Sequence, residues 1–117
     1  MVRNLKIDYD DENDVLWLHQ NKKVQDSLEL GNYVIDFSKG DILGLEIIDA
    51  SEVLSRLSSK QISKEMLKNI QNAVLKVHME KDLIFIVVLL RLSDSKVKEI
   101  PIQVNAPRQV MMVKVRA

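Results

Sequence analysis

The chain has 117 residues, 46% of them hydrophobic and 29% charged, with 3 Gly, 2 Pro and no Cys. Such a composition suits one globular domain around one core, and it excludes disordered, collagen-like and disulfide-stapled chains together with thiolate metal sites and cysteine catalysis. The formal net charge of +0 hides a split, because residues 1–58 carry 6 Lys/Arg against 12 Asp/Glu (6 − 12 = −6) and residues 59–117 carry 11 against 5 (11 − 5 = +6).

Residues Asn4 to Tyr9 alternate Leu5, Ile7 and Tyr9 with polar residues, the period of a half-buried strand. Asp10-Asp11-Glu12-Asn13 interrupts it, and Asp14 to His19 resumes with Leu16 and Leu18 on one face and Val15, Trp17 and His19 on the other. Residues 4–19 are therefore predicted to form a hairpin. Val24 to Leu30 is a weaker extended stretch ending at Gly31-Asn32. Tyr33 to Phe37 and Ile42 to Ile48 flank Ser38-Lys39-Gly40-Asp41. A two-residue turn at Lys39-Gly40 sets Phe37 opposite Ile42 and Ile35 opposite Gly44. Gly44, inside a strand, signals a bulge or a close approach by another element.

Two helical pieces follow. Asp49 with Glu52 reads as a capping box for a helix ending near Leu57. Beyond a polar joint at Ser58 to Gln61, Ile62, Met66, Leu67 and Ile70 recur at helical spacing behind Ser63 as a cap. The second half then returns to strands. Ala73, Leu75, Val77 and Met79 alternate up to a turn at Lys81-Asp82, and Leu83 to Leu92 is apolar on both faces, as in the interior of a sheet. Lys96 to Val104 points Ile100, Ile102 and Val104 inward, with Pro101 marking an edge. Asn105-Ala106-Pro107 breaks the pattern before a further extended stretch, Arg108 to Ala117.

The fold class expected is α+β: a mainly antiparallel sheet of about six or seven strands, built of hairpins, with two short helices packed on one face. A single domain, 1–117, holds it all. No apolar leader follows Arg3 and Lys6, and the longest apolar run, Leu83 to Leu90, has eight residues where a membrane helix needs about 20. A cytoplasmic protein with no membrane association is the expectation.

Tyr9-Asp10, Asp14-Val15-Leu16-Trp17-Leu18, Tyr33-Val34-Ile35-Asp36-Phe37 leading into Gly40, and above all Ile42-Leu43-Gly44-Leu45-Glu46-Ile47-Ile48-Asp49-Ala50-Ser51 carry a resemblance. Over residues 4–57 the chain resembles the YuzE-like family (domain of unknown function 2283). The resemblance implies a β-meander capped by a helix, and it implies no catalytic residues. Ser38 departs from the family's acidic turn position, and residues 58–117 extend beyond the usual short domain with a helix and antiparallel strands. Family members look like the small companions of toxin-type proteins, which adds an antitoxin-like role as an alternative.

Candidate chemistry is sparse. Asp8, Asp10, Asp11, Glu12 and Asp14 are the densest acidic set, but an EF-hand begun at Asp8 has Asn13 where Gly is required and His19 where a bidentate Glu is required, so the set reads as a solvated turn. His19 and His78 are the only histidines, on separate predicted strands. A metal- or His-dependent hydrolase is the weakest alternative. No phosphate loop, nucleophile elbow or metalloprotease motif occurs, so no cofactor or metal is expected. Lys60, Lys64 and Lys68 recur every four residues, which gives one basic helix face able to meet phosphates. With 4% aromatic residues the chain has no recognition module of the usual kinds, and nucleic acid is not the favoured partner.

A non-enzymatic interaction module is the favoured function, with a protein partner, itself included. Both faces of Leu83 to Leu92 and the apolar residues Val15 and Trp17 leave more apolar surface than two short helices cover. The chain is therefore expected to be a homo-oligomer, most simply a dimer, with Trp17, Met111, Val113 and Val115 at the interface.

Overall fold

The computed structural model describes residues 2–93 and 97–108. Five strands come first: β1 (Val2–Asp10), β2 (Val15–His19), β3 (Asp26–Leu30), β4 (Tyr33–Ser38) and β5 (Asp41–Ile48). Helices α1 (Ala50–Ser58) and α2 (Lys64–Leu67) lead to β6 (Ile70–Met79), β7 (Leu83–Leu92) and β8 (Glu99–Pro107). Every pairing is antiparallel, in the order β3-β4-β5-β2-β1-β6-β7-β8, and the sheet curls into a half-barrel.

Alternation along each strand sends Leu16, Leu18, Ile35, Leu45, Ile86 and Ile102 among others to the inside, where they are fully buried. One continuous core runs from the first hairpins to β8, and Ala50, Val53 and Leu54 of α1 belong to it. α1 packs on β5 and β8, the two strands it bridges across the hollow of the half-barrel.

Several expectations need correction. Among the described residues the sheet has eight strands, not six or seven: the weak stretch after Lys23 forms β3, and the last strand, expected to end at Val104, keeps pairing through Asn105-Ala106-Pro107 to the Leu83↔Pro107 pair. β8 is an edge, so its prolines leave no ladder bond unmade when their nitrogens face away from β7. Both helices reach the core, α1 through Ala50, Val53 and Leu54 and α2 through Leu67. α2 is a single turn whose buried residue is Leu67, and Ile70 already belongs to β6. Asp49 does not cap α1: its backbone is left-handed, φ 56, and its side chain makes no capping bond.

The two-residue turn is present, with φ 53 at Lys39 and φ 78 at Gly40, and it sets Phe37 opposite Ile42 as expected. The next expected pair is displaced. A bulge sets Asp36 opposite Gly44 and Ile35 opposite Leu45. The carbonyls it displaces find side-chain donors: Gln20 Nε2 donates to Ile42 O (3.1 Å) and Leu43 O (3.2 Å), and Arg3 donates to Ile42 O (3.3 Å). Gly44 is required here, because a Cβ would collide with the Leu18 carbonyl oxygen and lie 3.0 Å from His19 Cα. Met111, Val113 and Val115 lie outside the described residues, as does the rest of the stretch after Arg108.

Candidate functional site on the outer face of the sheet

The acidic run of the first hairpin resolves into separate structural duties. Asp10 accepts from the Glu12 and Asn13 amides at 3.1 Å each and from Asn13 Nδ2 at 2.8 Å, which is an Asx turn. Asp11 pairs with Lys68 at 3.0 Å, and that contact holds its carboxyl below the usual carboxylate range. Asp14 reaches across to the start of α1. Its carboxylate accepts from Ser51 N (3.1 Å), Ser51 Oγ (2.7 Å) and Tyr9 Oη (2.6 Å), and its carbonyl accepts from Ala50 N (2.9 Å). The helix is therefore capped from the hairpin and not by its own Asp49. Among the described residues no group of three or more His, Cys, Asp or Glu could hold a metal ion.

On the outer face of β1, β2, β5 and β4 a second network is built around Trp17. Its ring stacks on His19 at 3.8 Å between centroids, and its Nε1 donates to Asp36 Oδ2 at 3.1 Å. Ser27 Oγ donates to the other Asp36 oxygen at 2.8 Å, which accounts for a carboxylate that is only 3% exposed. His19 contacts the Asp8 carboxylate diagonally across the β1–β2 ladder, Nε2 to Oδ2 at 2.5 Å, while its Nδ1 accepts from Asn21 N at 3.1 Å. That acceptor role places the ring proton on Nε2. With both nitrogens engaged, His19 has none left to serve as a base toward a substrate.

The two histidines do not converge. Lys6 of β1 is level with His19, and Leu5 with Ala73, so His78 lies five to six residues further along β6, roughly 20 Å away. There it bonds Glu80 at 2.7 Å and is open to solvent. The lysines do not share a helix face either. Of Lys60, Lys64 and Lys68 only Lys64 is within α2, and Lys68 is held by Asp11 and, at 3.7 Å, by Glu65.

Beside Trp17 a groove of about 500 Å³ is lined by Asp8, Tyr9, Asp10, Asn13, Val15 and Glu46. Glu46 stands directly opposite Trp17 in the β2–β5 ladder. Burial, and then the neighbouring Asp36 charge, push its carboxyl above the usual range. No hydrogen bond or ion pair engages the Glu46 side chain among the described residues. Sequence reasoning singled out Trp17 and missed Asp36 and Glu46. The available signal was the alternation that puts Trp17, His19, Glu46 and Asp36 all on the face opposite the buried leucines.

Residues 6–51 match the family model of a protein of unknown function (DUF2283). The DUF2283 segment covers less than half of the chain, and it contains the Tyr9–Asp14–Ser51 network entire and the Trp17 network as well. Its first residue, Lys6, is also where β1 begins to pair with β2, whereas Val2 to Leu5 pair with β6 outside the segment. The match thus spans β1 from Lys6 onward, β2 to β5, and the first two residues of α1. No curated protein and no solved structure matched the sequence.

Proposed function

We propose that the protein works in the cytoplasm without catalysis of its own, by binding another protein, in the first instance a second copy of this chain. One observation carries the reading. On the outer face of β6 and β7, Phe85, Val87 and Leu89 follow one another along β7 and Val74 stands opposite Leu89, all partly exposed, while Ile84, Ile86, Val88 and Leu90 fill the core on the other side. α1 packs elsewhere, on β5 and β8. Val2 at 65% exposed and Leu83 at 39% widen the same surface. A contiguous apolar patch with charged residues at its rim has the anatomy of a protein interface.

Molar mass by light scattering tests this. The intact chain is expected to be a dimer, and Val87→Glu with Leu89→Glu is expected to make it monomeric, since a charge at the centre of an apolar interface costs several kcal/mol. Cutting the chain after Pro107 separates the sheet face from the C-terminal stretch: a dimer that persists assigns the contact to the sheet. A monomeric intact protein refutes the reading. Titration with RNA and duplex DNA between about 50 and 200 mM salt covers the antitoxin-like alternative, which requires steeply salt-dependent binding that Lys60, Lys64 and Lys68 sustain.

A further inference from the structure

The outer face carries two patches of opposite character on either side of β1. On β2 and β5, Trp17 and Val15 are bordered by Asp8, Asp10 and Glu46. On β6 and β7, Val74, Val87 and Leu89 are bordered by Lys76 and Arg91. Trp17 and Lys76 are one strand from β1 on opposite sides, and Glu46 and Val87 are two strands from it. Along β1 the patches are level with Asp8 and Val2, so their midpoint falls at Leu5.

We propose that two copies pair outer face to outer face about a two-fold axis that crosses β1 near Leu5, the Trp17–Glu46 patch of each seated on the Lys76–Val87 patch of the other. This rests on the self-association reading and adds to it which surfaces meet and how. The two charges placed to seek a partner are Glu46 and Lys76. Arg91 is paired with Glu99 at 3.0 Å and Asp8 with His19, but neither Glu46 nor Lys76 has an ion pair among the described residues. A Lys76 ammonium brought to the groove meets the Glu46 carboxylate beside the partly exposed Trp17, a carboxylate and an aromatic ring whose face both favour a cation. A two-fold arrangement makes that contact twice and closes the assembly at two copies. The acidic border of one patch, Asp8, Asp10 and Glu46, then lies on the basic border of the other, Lys76 and Arg91.

A charge exchange tests it. Glu46→Lys alone and Lys76→Glu alone each place like charges at both contacts, and each is expected to weaken the dimer about tenfold or more. An equal mixture of the two variants restores opposite charges at both contacts and is expected to dimerise like the parent. Folding is not at stake, since a lysine at position 46 gains Asp36 as a neighbour and position 76 is exposed. Glu12→Lys, at the hairpin tip, changes net charge equally and leaves the dimer unchanged. Trp17, the only tryptophan, reports association by a blue shift of its emission. A parent chain that is monomeric overturns the self-association reading and this one together. A dimeric parent with both single variants unaffected overturns only the pairing proposed here, and weakened variants that do not rescue each other overturn its two-fold arrangement.

Discussion

Asp14 joins the first hairpin to α1, and its ionisation is tied to the stability of both. Burial disfavours its charge, but the bonds from Tyr9 and Ser51 outweigh burial and hold its carboxyl below the usual carboxylate range. A carboxyl with a depressed folded pKa stabilises the fold above its unfolded value of about 3.9, and that contribution disappears as pH falls through the folded value. Asp14→Ala is expected to lower stability at pH 7 by about 2 kcal/mol, the scale of a lost helix cap that leaves donors unpaired. The deficit should shrink as pH falls below about 4, where the unfolded chain's Asp14 takes up a proton before the folded one does. Urea unfolding at pH 7, 4 and 2.5 checks both statements; a deficit independent of pH is the contrary result. Gly44 is a second such residue, for steric reasons. Gly44→Ala drives a Cβ into the Leu18 carbonyl and should cost about 3 kcal/mol or prevent folding, read from the same urea midpoints. Its need for close approach was legible in the sequence, because a lone glycine weakens a strand interior unless a bulge or a neighbouring backbone requires it. The role of Asp14 was not, because its partner Ser51 is 37 residues away and Asp49 offered a local substitute.

At the scale of elements, pattern reading succeeded where a single period dominated and failed where two signals overlapped. The hairpins of β1–β2, β4–β5 and β6–β7 were read correctly from alternation and turn residues. Gly44 signalled a bulge or a close approach, and both are present, but the Ile35–Gly44 pairing was off by one because Ile42, Leu43, Gly44 and Leu45 are all buried, which blurs the alternation that would mark the extra residue. Lys60, Lys64 and Lys68 have helical spacing, yet Ser63 caps a helix that starts only at Lys64 and ends at Leu67. A four-residue helix cannot propagate against a following segment that is paired as β6 on both sides. Ser63 does what its type predicts, accepting from Met66 N at 3.2 Å. The Trp17 network shows a third limit: its face was legible, but the buried Asp36 was not, because nothing in an alternating strand tells which outward carboxylate will find donors.

The whole molecule joins two sub-sheets through one strand and one core. Because the buried cluster is continuous from β8 through α1 to the first hairpins, both halves are expected to unfold together. Trp17 emission, a probe of the first half, and far-ultraviolet circular dichroism, which sees both, should trace coincident urea transitions; two separated midpoints would show independent halves. The antiparallel architecture was legible from hairpin-length turns, while the last strand was read short, to Val104, because Asn105-Ala106-Pro107 resembles a break and yet keeps pairing with β7.

β1 divides its pairing at Leu5, with Lys6 to Asp10 bonded to β2 and Val2 to Leu5 bonded to β6. In the order of synthesis this separates the strand into an early part and a late part. When residue 51 has left the ribosome, Lys6 to Asp10 already has β2 available, β3 to β5 can close as hairpins, and the β2–β5 pairing needs only residues already made. Val2 to Leu5 must wait for Ala73 to Lys76, a loop of about 70 residues whose closure is entropically slow. Until then Val2 and Leu5 remain unpaired on a growing chain, and the last register to lock during folding is set by a segment made well before its partner.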